Sequence, residues 1–230
     1  YLFHGRGGSE KVWLEYGEQM TNLWKFLGLH SPRIVTLSYG PVWLLVNSNG
    51  SPLSGMLPEV VDQFIPYFEN RFGPPSGERI VVGGSMGGFN AIQLALRHGH
   101  LFSKVAILCP FVAKFTPFSS HSEVWEYVER TGAKASKVYS AIEFAKPFFP
   151  DLNAWKRAAP LEIANKYFSP RSPQIYLACG THDEYGFYEG TSLFYEKAKE
   201  KGVDVSLSTV LFGKHCAFDG LDLSLFIKGF

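Results

Sequence analysis

The sequence predicts an α/β protein, built on a mainly parallel sheet that helices cover on both faces. Short β-rich runs alternate with helix-like segments along most of the chain. The 230 residues suit one α/β domain better than two smaller ones, and a 46% hydrophobic content is enough for a sizeable core. The prediction is therefore a single domain over residues 1–230, with a partly helical, cap-like insertion at about residues 111–168.

The first half of the chain predicts short strands separated by loops and helices. The elements are a strand stub at Tyr1–Phe3, a helix at Lys11–Leu27, and strands at Arg33–Leu37 and Val42–Val46. A helix begins near Pro58, whose missing N–H suits a first turn, and apolar residues at three-to-four spacing give it one buried stripe. Because Tyr1 reads as mid-strand, further strands are expected upstream of it.

The second half returns to regular alternation on either side of the insertion. A strand at Arg79–Val82 leads into a helix through about Leu96, and a strand at Lys104–Leu108 ends before Pro110. After the insertion come a strand at Gln174–Cys179, a helix at Gly190–Lys201, a strand at Val203–Phe212 and a last helix with Asp219 as its N-cap.

The charge pattern argues against two classes of partner. The net charge is +1 with His neutral, and no long run of like charge provides a footprint for nucleic acid or an anionic membrane. No apolar run is long enough to span a bilayer, and no signal peptide is visible. The compartment and the oligomeric state stay open.

The cysteine count argues against a disulfide framework. Cys109, Cys179 and Cys216 cannot all pair with one another, and each lies beside an apolar stretch or a candidate functional segment. We interpret them as small buried hydrophobic residues.

The strongest chemical signal is Gly83-Gly84-Ser85-Met86-Gly87, which fits Gly-x-Ser-x-Gly and lies between a predicted strand and a predicted helix. A serine on such a sharp turn has its hydroxyl lifted clear of the sheet, at a helix N-terminus that favours negative charge. Ser85 is therefore the candidate nucleophile. The alternatives are a glycine-rich phosphate cradle or a plain turn, although no Lys follows where a P-loop needs one.

A serine hydroxyl needs a base, and the base needs a carboxylate that orients it. His215 follows a long strand in a Gly-rich loop before the last helix, which makes it the preferred base, with His182 as the rival. Asp183 is the preferred acid because its short side chain is easily held against an imidazole, and Glu184 is the alternative.

Two backbone N–H groups are candidates for an oxyanion hole, those of Met86 and of Arg6 in the loop His4-Gly5-Arg6-Gly7-Gly8. The Arg6 side chain either reaches the cleft, where it would favour an anionic substrate group, or is solvated or salt-bridged. Tyr185, after the acid, is a candidate substrate contact for an apolar or aromatic acyl group.

These motifs together resemble the putative esterase family, which includes esterase D (S-formylglutathione hydrolase), feruloyl esterases and the antigen 85 mycolyltransferases. The resemblance rests on the His4–Gly8 loop with Trp13 downstream, Gly83–Gly88 followed by Phe89, Cys179-Gly180-Thr181-x-Asp183 and Gly213-Lys214-His215. It implies an α/β-hydrolase fold, a Ser85–Asp183–His215 triad, and backbone oxyanion donors at Arg6 and Met86. Trp13 joins Tyr185 as a candidate substrate-binding residue.

The resulting hypothesis is a serine carboxylic ester hydrolase that acts through an acyl-enzyme on a small or aromatic ester. This chemistry requires no metal and no organic cofactor. The alternatives are an acyltransferase with an alcohol or sugar acceptor, and an inactive binding protein that keeps the fold.

Overall fold

A computed structural model describes residues 1–46, 55–75 and 77–229, apart from the side chains of residues 13, 15 and 16. It contains a six-stranded sheet in the order β2-β1-β3-β4-β5-β6. The strands are β1 (Leu2–Phe3), β2 (Thr36–Leu37), β3 (Ile80–Gly84), β4 (Lys104–Leu108), β5 (Gln174–Gly180) and β6 (Val205–Val210). Each neighbouring pair in this sheet runs parallel, which confirms the predicted fold class.

Helices connect the strands, as parallel pairing requires. They are α1 (Val12–Phe26), α2 (Leu57–Glu59), α3 (Ile65–Phe72), α4 (Met86–Arg97), α5 (His121–Thr131), α6 (Ala135–Ala145), α7 (Leu152–Lys156), α8 (Pro160–Tyr167), α9 (Phe187–Glu200) and α10 (Gly220–Lys228). A π-helical turn at Val60–Phe64 joins α2 to α3. Of the helices in the described ranges, none combines the length and the apolar character needed to cross a membrane.

The core lies on both faces of the sheet. Every residue of β4 is buried, and its side chains alternate between the two faces. Val105 and Ile107 face the larger core, which includes residues of α4 and α9. Ala106 and Leu108 face a smaller core with residues of α1 and α10. The two-sided cover explains why residues 105–108 of β4 form a continuous apolar run.

The insertion between β4 and β5 contains α5, α6, α7 and α8, in agreement with the predicted partly helical segment. Its first helix has a capping box, in which the Ser120 hydroxyl accepts from the Glu123 N–H and the Glu123 carboxylate accepts from the Ser120 N–H. Gly132 ends α5 in the left-handed conformation. The helix boundaries in this segment are thus encoded locally.

The predicted strand at Val42–Val46 is wrong. These residues form consecutive turns, in which the N–H of Leu44 donates to the carbonyl of Val42 and the N–H of Val46 to that of Trp43. All from Trp43 to Val46 are nevertheless buried, and the Trp43 ring lies 4.5 Å from that of Phe89. A short apolar run indicates burial but does not distinguish a strand from buried turns, so the strand prediction failed here.

Other elements differ from the prediction only at their ends. The predicted strand Arg33–Leu37 is limited to Thr36–Leu37, and Val203–Phe212 to Val205–Val210. Leu211 and Phe212 extend into solvent beyond the sheet. The predicted helix Gly190–Lys201 begins earlier, at Phe187.

Candidate active site

The candidate site lies at the carboxyl edge of the sheet. Ser85 follows β3, Asp183 follows β5 and His215 follows β6. Because parallel strands end at the same edge, three residues distant in sequence come together there, where open α/β sheets commonly bind ligands.

Ser85 occupies a tight turn between β3 and α4. Its φ of 54° lies in the left-handed region, which a residue with a side chain rarely adopts. Glycines on either side permit the turn, because a Cβ on Gly83 would lie 2.2 Å from the Gly87 carbonyl oxygen, and one on Gly87 would lie 2.1 Å from that of Phe3. The Ser85 N–H donates to the Leu108 carbonyl at 2.9 Å, which ties the turn to the end of β4.

The side chains of Ser85, His215 and Asp183 form a continuous hydrogen-bonded chain. Nε2 of His215 lies 3.0 Å from Oγ of Ser85, and Nδ1 lies 2.6 Å from Oδ2 of Asp183. The Asp183 side chain is fully buried, whereas that of His215 is 22% exposed. A hydroxyl, an imidazole and a carboxylate in this order can pass a proton from oxygen to nitrogen and stabilise the imidazolium that forms.

Backbone groups hold the Asp183 carboxylate in place. Its Oδ1 accepts hydrogen bonds from the N–H groups of Tyr185 at 2.9 Å and Phe187 at 3.4 Å. The other oxygen is therefore left for His215. The Tyr185 ring centroid lies 4.6 Å from that of His215, which places this candidate substrate contact beside the imidazole.

Glu184, the alternative acid, contacts the main chain of His215 and not its ring. Its Oε2 accepts the His215 N–H at 2.8 Å, and this hydrogen bond holds the pKa of Glu184 below its ordinary value. Its own carbonyl accepts the N–H of Lys134, directly before α6. Glu184 thus connects the His215 loop to the insertion.

The loop that contains the candidate oxyanion donor passes against Ser85. A Cβ on Gly5 would lie 3.3 Å from the Cβ of Ser85, so this glycine allows close approach. His4 is buried, and its ring stacks on that of Tyr39 at 4.0 Å while Nε2 accepts the Tyr39 N–H. Met86 is the first residue of α4, where helix geometry provides no intrahelical acceptor for its N–H.

The Arg6 side chain packs on the insertion. Its guanidinium lies 4.5 Å from the Phe144 ring centroid and donates to the Ser140 hydroxyl at 3.1 Å. Arg6 is exposed, as the solvated alternative expects, and its guanidinium contacts α6. The contact links the candidate oxyanion loop to α6.

The two remaining candidates from the sequence are Trp13 and His182. Trp13 lies in α1, but its side chain is outside the described part of the structure. His182, the rival base, hydrogen-bonds through Nδ1 with the Thr181 hydroxyl and packs on Phe212. The structure thus brings His215, and not His182, to Ser85.

The interpretation of all three cysteines as simple buried hydrophobic residues is wrong for two of them. Cys109 and Cys216 form a disulfide, with their Cα atoms 4.9 Å apart. Cys179 is a buried free thiol, and burial raises its pKa. The signal that was missed is topological, since Cys109 directly follows β4 and Cys216 follows His215 at the same edge of the sheet.

Comparison with known proteins defines the class. The sequence profile of the family described as Putative esterase matches residues 59–201, which is more than half of the chain. The chain therefore belongs to the Putative esterase family, and it is a hydrolase. The matched segment includes Ser85 and Asp183, whereas His215 lies beyond it. No curated protein sequence matches the chain.

Solved structures are similar along nearly the whole chain. An S-formylglutathione hydrolase from Agrobacterium tumefaciens superposes with a TM-score of 0.63 at 20% identity, covering 99% of this chain and 79% of that one. The Pyrococcus furiosus esterase Pf2001 superposes with a TM-score of 0.61 at 17% identity, covering 100% of this chain and 81% of that one. A ferulic acid esterase superposes with a TM-score of 0.60 at 20% identity, covering 99% of this chain and 81% of that one. These likenesses establish the shared α/β-hydrolase fold.

Proposed function

We propose that the protein hydrolyses carboxylic esters, with Ser85 as nucleophile, His215 as general base and Asp183 as the acid that orients it. The observation that carries the proposal is the hydrogen-bonded chain from Ser85 Oγ through both ring nitrogens of His215 to Asp183, with distances of 3.0 and 2.6 Å. Membership of an esterase family supports the same reaction class.

The proposed reaction begins when Ser85 Oγ attacks the ester carbonyl and Nε2 of His215 takes the hydroxyl proton. The carbonyl oxygen gains negative charge, and the N–H groups of Met86 and Arg6 stabilise it. The C–O bond to the alcohol then breaks, and the alcohol leaves with the proton from His215. Water repeats these steps on the acyl-enzyme, which releases the carboxylic acid and restores Ser85.

The proposed substrate is a small or aromatic ester. The Tyr185 ring lies beside His215, where an apolar acyl group would meet it. Solved neighbours include an S-formylglutathione hydrolase and a ferulic acid esterase, so a thioester and a feruloyl ester are suitable probes. We further propose that residues of about 111–168 act as a cap of one hydrolase domain, since Arg6 and Glu184 both contact α6 or its first flanking residue.

The test is ester turnover by Ser85→Ala beside the unchanged protein. We expect kcat to fall by about 10⁴-fold or more, because no other group supplies the attacking oxygen. His215→Ala should give a comparable loss, and circular dichroism should show that both variants are folded. Turnover by Ser85→Ala at the unchanged rate would refute the nucleophile.

The substrate class needs a separate panel. Nitrophenyl esters of increasing chain length, a feruloyl ester and a thioester should give kcat/KM values that differ by tenfold or more, since one methylene in an apolar pocket is worth about 1–3 kcal/mol. A flat response would contradict a shaped acyl pocket while leaving the nucleophile untouched.

A further inference from the structure

Two sulfur atoms lie against the candidate base. The ligand atoms of Cys109, His215 and Cys216 all lie within 4.8 Å of one another. Sγ of Cys216 is 3.7 Å from Nε2 of His215, the ring nitrogen that faces Ser85. The disulfide between Cys109 and Cys216 keeps both sulfurs beside this imidazole.

We propose that reduction of this disulfide creates a site for a thiophilic divalent cation of the Zn²⁺ class, held by both sulfurs and by Nε2 of His215. Occupation of the site stops ester hydrolysis, and this consequence rests on the proposed role of His215. Binding of the cation does not depend on that role.

The donor set is the one that such cations prefer. Cys thiolates and imidazole nitrogens are the usual ligands of Zn²⁺, whereas hard cations take oxygen. With Zn–S near 2.3 Å and Zn–N near 2.0–2.1 Å, a tetrahedral site places a sulfur and a nitrogen about 3.5–3.6 Å apart, and two sulfurs about 3.8 Å apart. The observed separation of 3.7 Å between Sγ of Cys216 and Nε2 of His215 is close to the sulfur–nitrogen value. Breaking the disulfide lets the two sulfurs separate to a similar distance.

Asp183 supplies the outer contact that a metal-bound histidine needs. Its buried carboxylate accepts the N–H at Nδ1 of His215 at 2.6 Å, which leaves Nε2 as the nitrogen with the free lone pair. Metal-ligating histidines commonly donate their other N–H to a carboxylate in this way. The arrangement that prepares Nε2 to accept a proton therefore also prepares it to bind a cation.

The chemistry balances with a named reductant. A phosphine attacks the sulfur of Cys216, which is the more accessible because Cys109 is fully buried. The S–S bond takes two electrons, water supplies the oxygen of the phosphine oxide, and two thiols form with its two protons. A divalent cation then displaces both thiol protons to solvent.

Inhibition follows from competition for one lone pair. A cation on Nε2 prevents His215 from accepting the proton of Ser85, whose Oγ lies 3.0 Å away. The disulfide form offers no thiolate beside His215, so the cation should act only on the reduced protein. A chelator should restore turnover.

Cadmium alone is the probe, because its thiolate complexes have a charge-transfer band in the ultraviolet. Thiol titration of the unfolded protein should find one free thiol before phosphine treatment and three after it. The reduced protein should then bind one Cd²⁺ per chain with a charge-transfer band, and the disulfide form should show none. Three thiols before reduction, or no band after it, would overturn the site.

Variants separate this site from the proposed function. Ser85→Ala keeps all three donors, so it should show the full band even though it cannot form an acyl-enzyme. Cys216→Ala should lose the band, and His215→Ala should bind Cd²⁺ at least tenfold more weakly. Cys179→Ala is the matched control, since it removes the buried thiol outside the cluster.

A band that persists in Cys216→Ala, or disappears in Cys179→Ala, would refute the assignment of the ligands. One Cd²⁺ bound per chain without loss of ester turnover would refute the inhibition while leaving the three donors in place. The absorbance readout thus does not depend on whether the ester hypothesis is correct.

Discussion

Two adjacent carboxylates hold His215 at two different points. Asp183 meets the ring at Nδ1, and Glu184 meets the backbone N–H at 2.8 Å. A ring held only by Asp183 would remain free to shift with its loop, and misplacement by a fraction of an ångström costs rate. Glu184 is therefore expected to act as a positioning residue.

Glu184→Ala should lower kcat about tenfold with little change in KM, because it leaves the His215 N–H without its acceptor. Glu184→Gln should stay close to the unchanged enzyme, since the amide oxygen can still accept this hydrogen bond. Steady-state kinetics on one nitrophenyl ester measure both.

Glu196→Ala, at an exposed position of α9, is the control for a lost surface charge. An equal loss of kcat in the Gln and Ala variants would contradict positioning by this hydrogen bond, as would no loss in either.

The different roles of Asp183 and Glu184 also show which features of the site can be predicted from the sequence. The Ser85 turn is encoded locally, because its glycines and the flanking strand and helix lie within a few residues. The choice of acid depends on where the His215 loop, more than thirty positions away, presents its ring and its N–H. The two cysteines are separated by 107 positions, so their pairing depends on strand order.

At the scale of elements, the alternation of strand-like and helix-like segments predicted the parallel sheet and the helices outside the insertion, whereas the four helices of the insertion were expected only as a partly helical segment. The prediction of a strand at Val42–Val46 failed because buried turns and buried strands share the same apolar pattern. The positions of α3 and β3 relative to each other depend on side-chain contacts. Arg79, before β3, makes a two-point ion pair with Glu69 of α3, at 2.6 and 2.7 Å.

This ion pair predicts a pH-dependent stability. The hydrogen bonds from Arg79 hold the pKa of Glu69 below its ordinary value of 4.5. A carboxyl group whose pKa is lower in the folded than in the unfolded protein contributes its full stabilisation at pH values above the unfolded-state pKa. That contribution is lost as the pH falls through the folded-state pKa. Glu69→Gln should therefore lower the free energy of unfolding by about 1 kcal/mol at neutral pH, and by progressively less under acid conditions.

Urea unfolding at several pH values measures this difference. The exposed Glu196→Gln should show little change in unfolding free energy at any pH. A difference for Glu69→Gln that stays constant well below pH 4.5 would contradict the contribution of the charge.

At the scale of the whole molecule, the disulfide joins the end of β4 to the His215 loop. The two cysteines are 107 positions apart, so the loop that it closes contains most of the second half of the chain. Closing a loop of this length restricts the unfolded chain, which predicts a stabilisation of about 2–5 kcal/mol. Phosphine reduction should lower the melting temperature of the unchanged protein and of Cys179→Ala alike. It should not alter that of the Cys109→Ala/Cys216→Ala double variant. A reduction-dependent shift in the double variant would contradict this disulfide as the source.

Covalent labelling tests the proposed role of Ser85 as the nucleophile of an esterase. A fluorophosphonate reacts with an activated serine as an ester does, and stops at the covalent stage. Intact mass spectrometry with peptide mapping should find one adduct per chain, on Ser85, and none in Ser85→Ala. An adduct on another residue, or unchanged labelling of Ser85→Ala, would contradict Ser85 as the nucleophile.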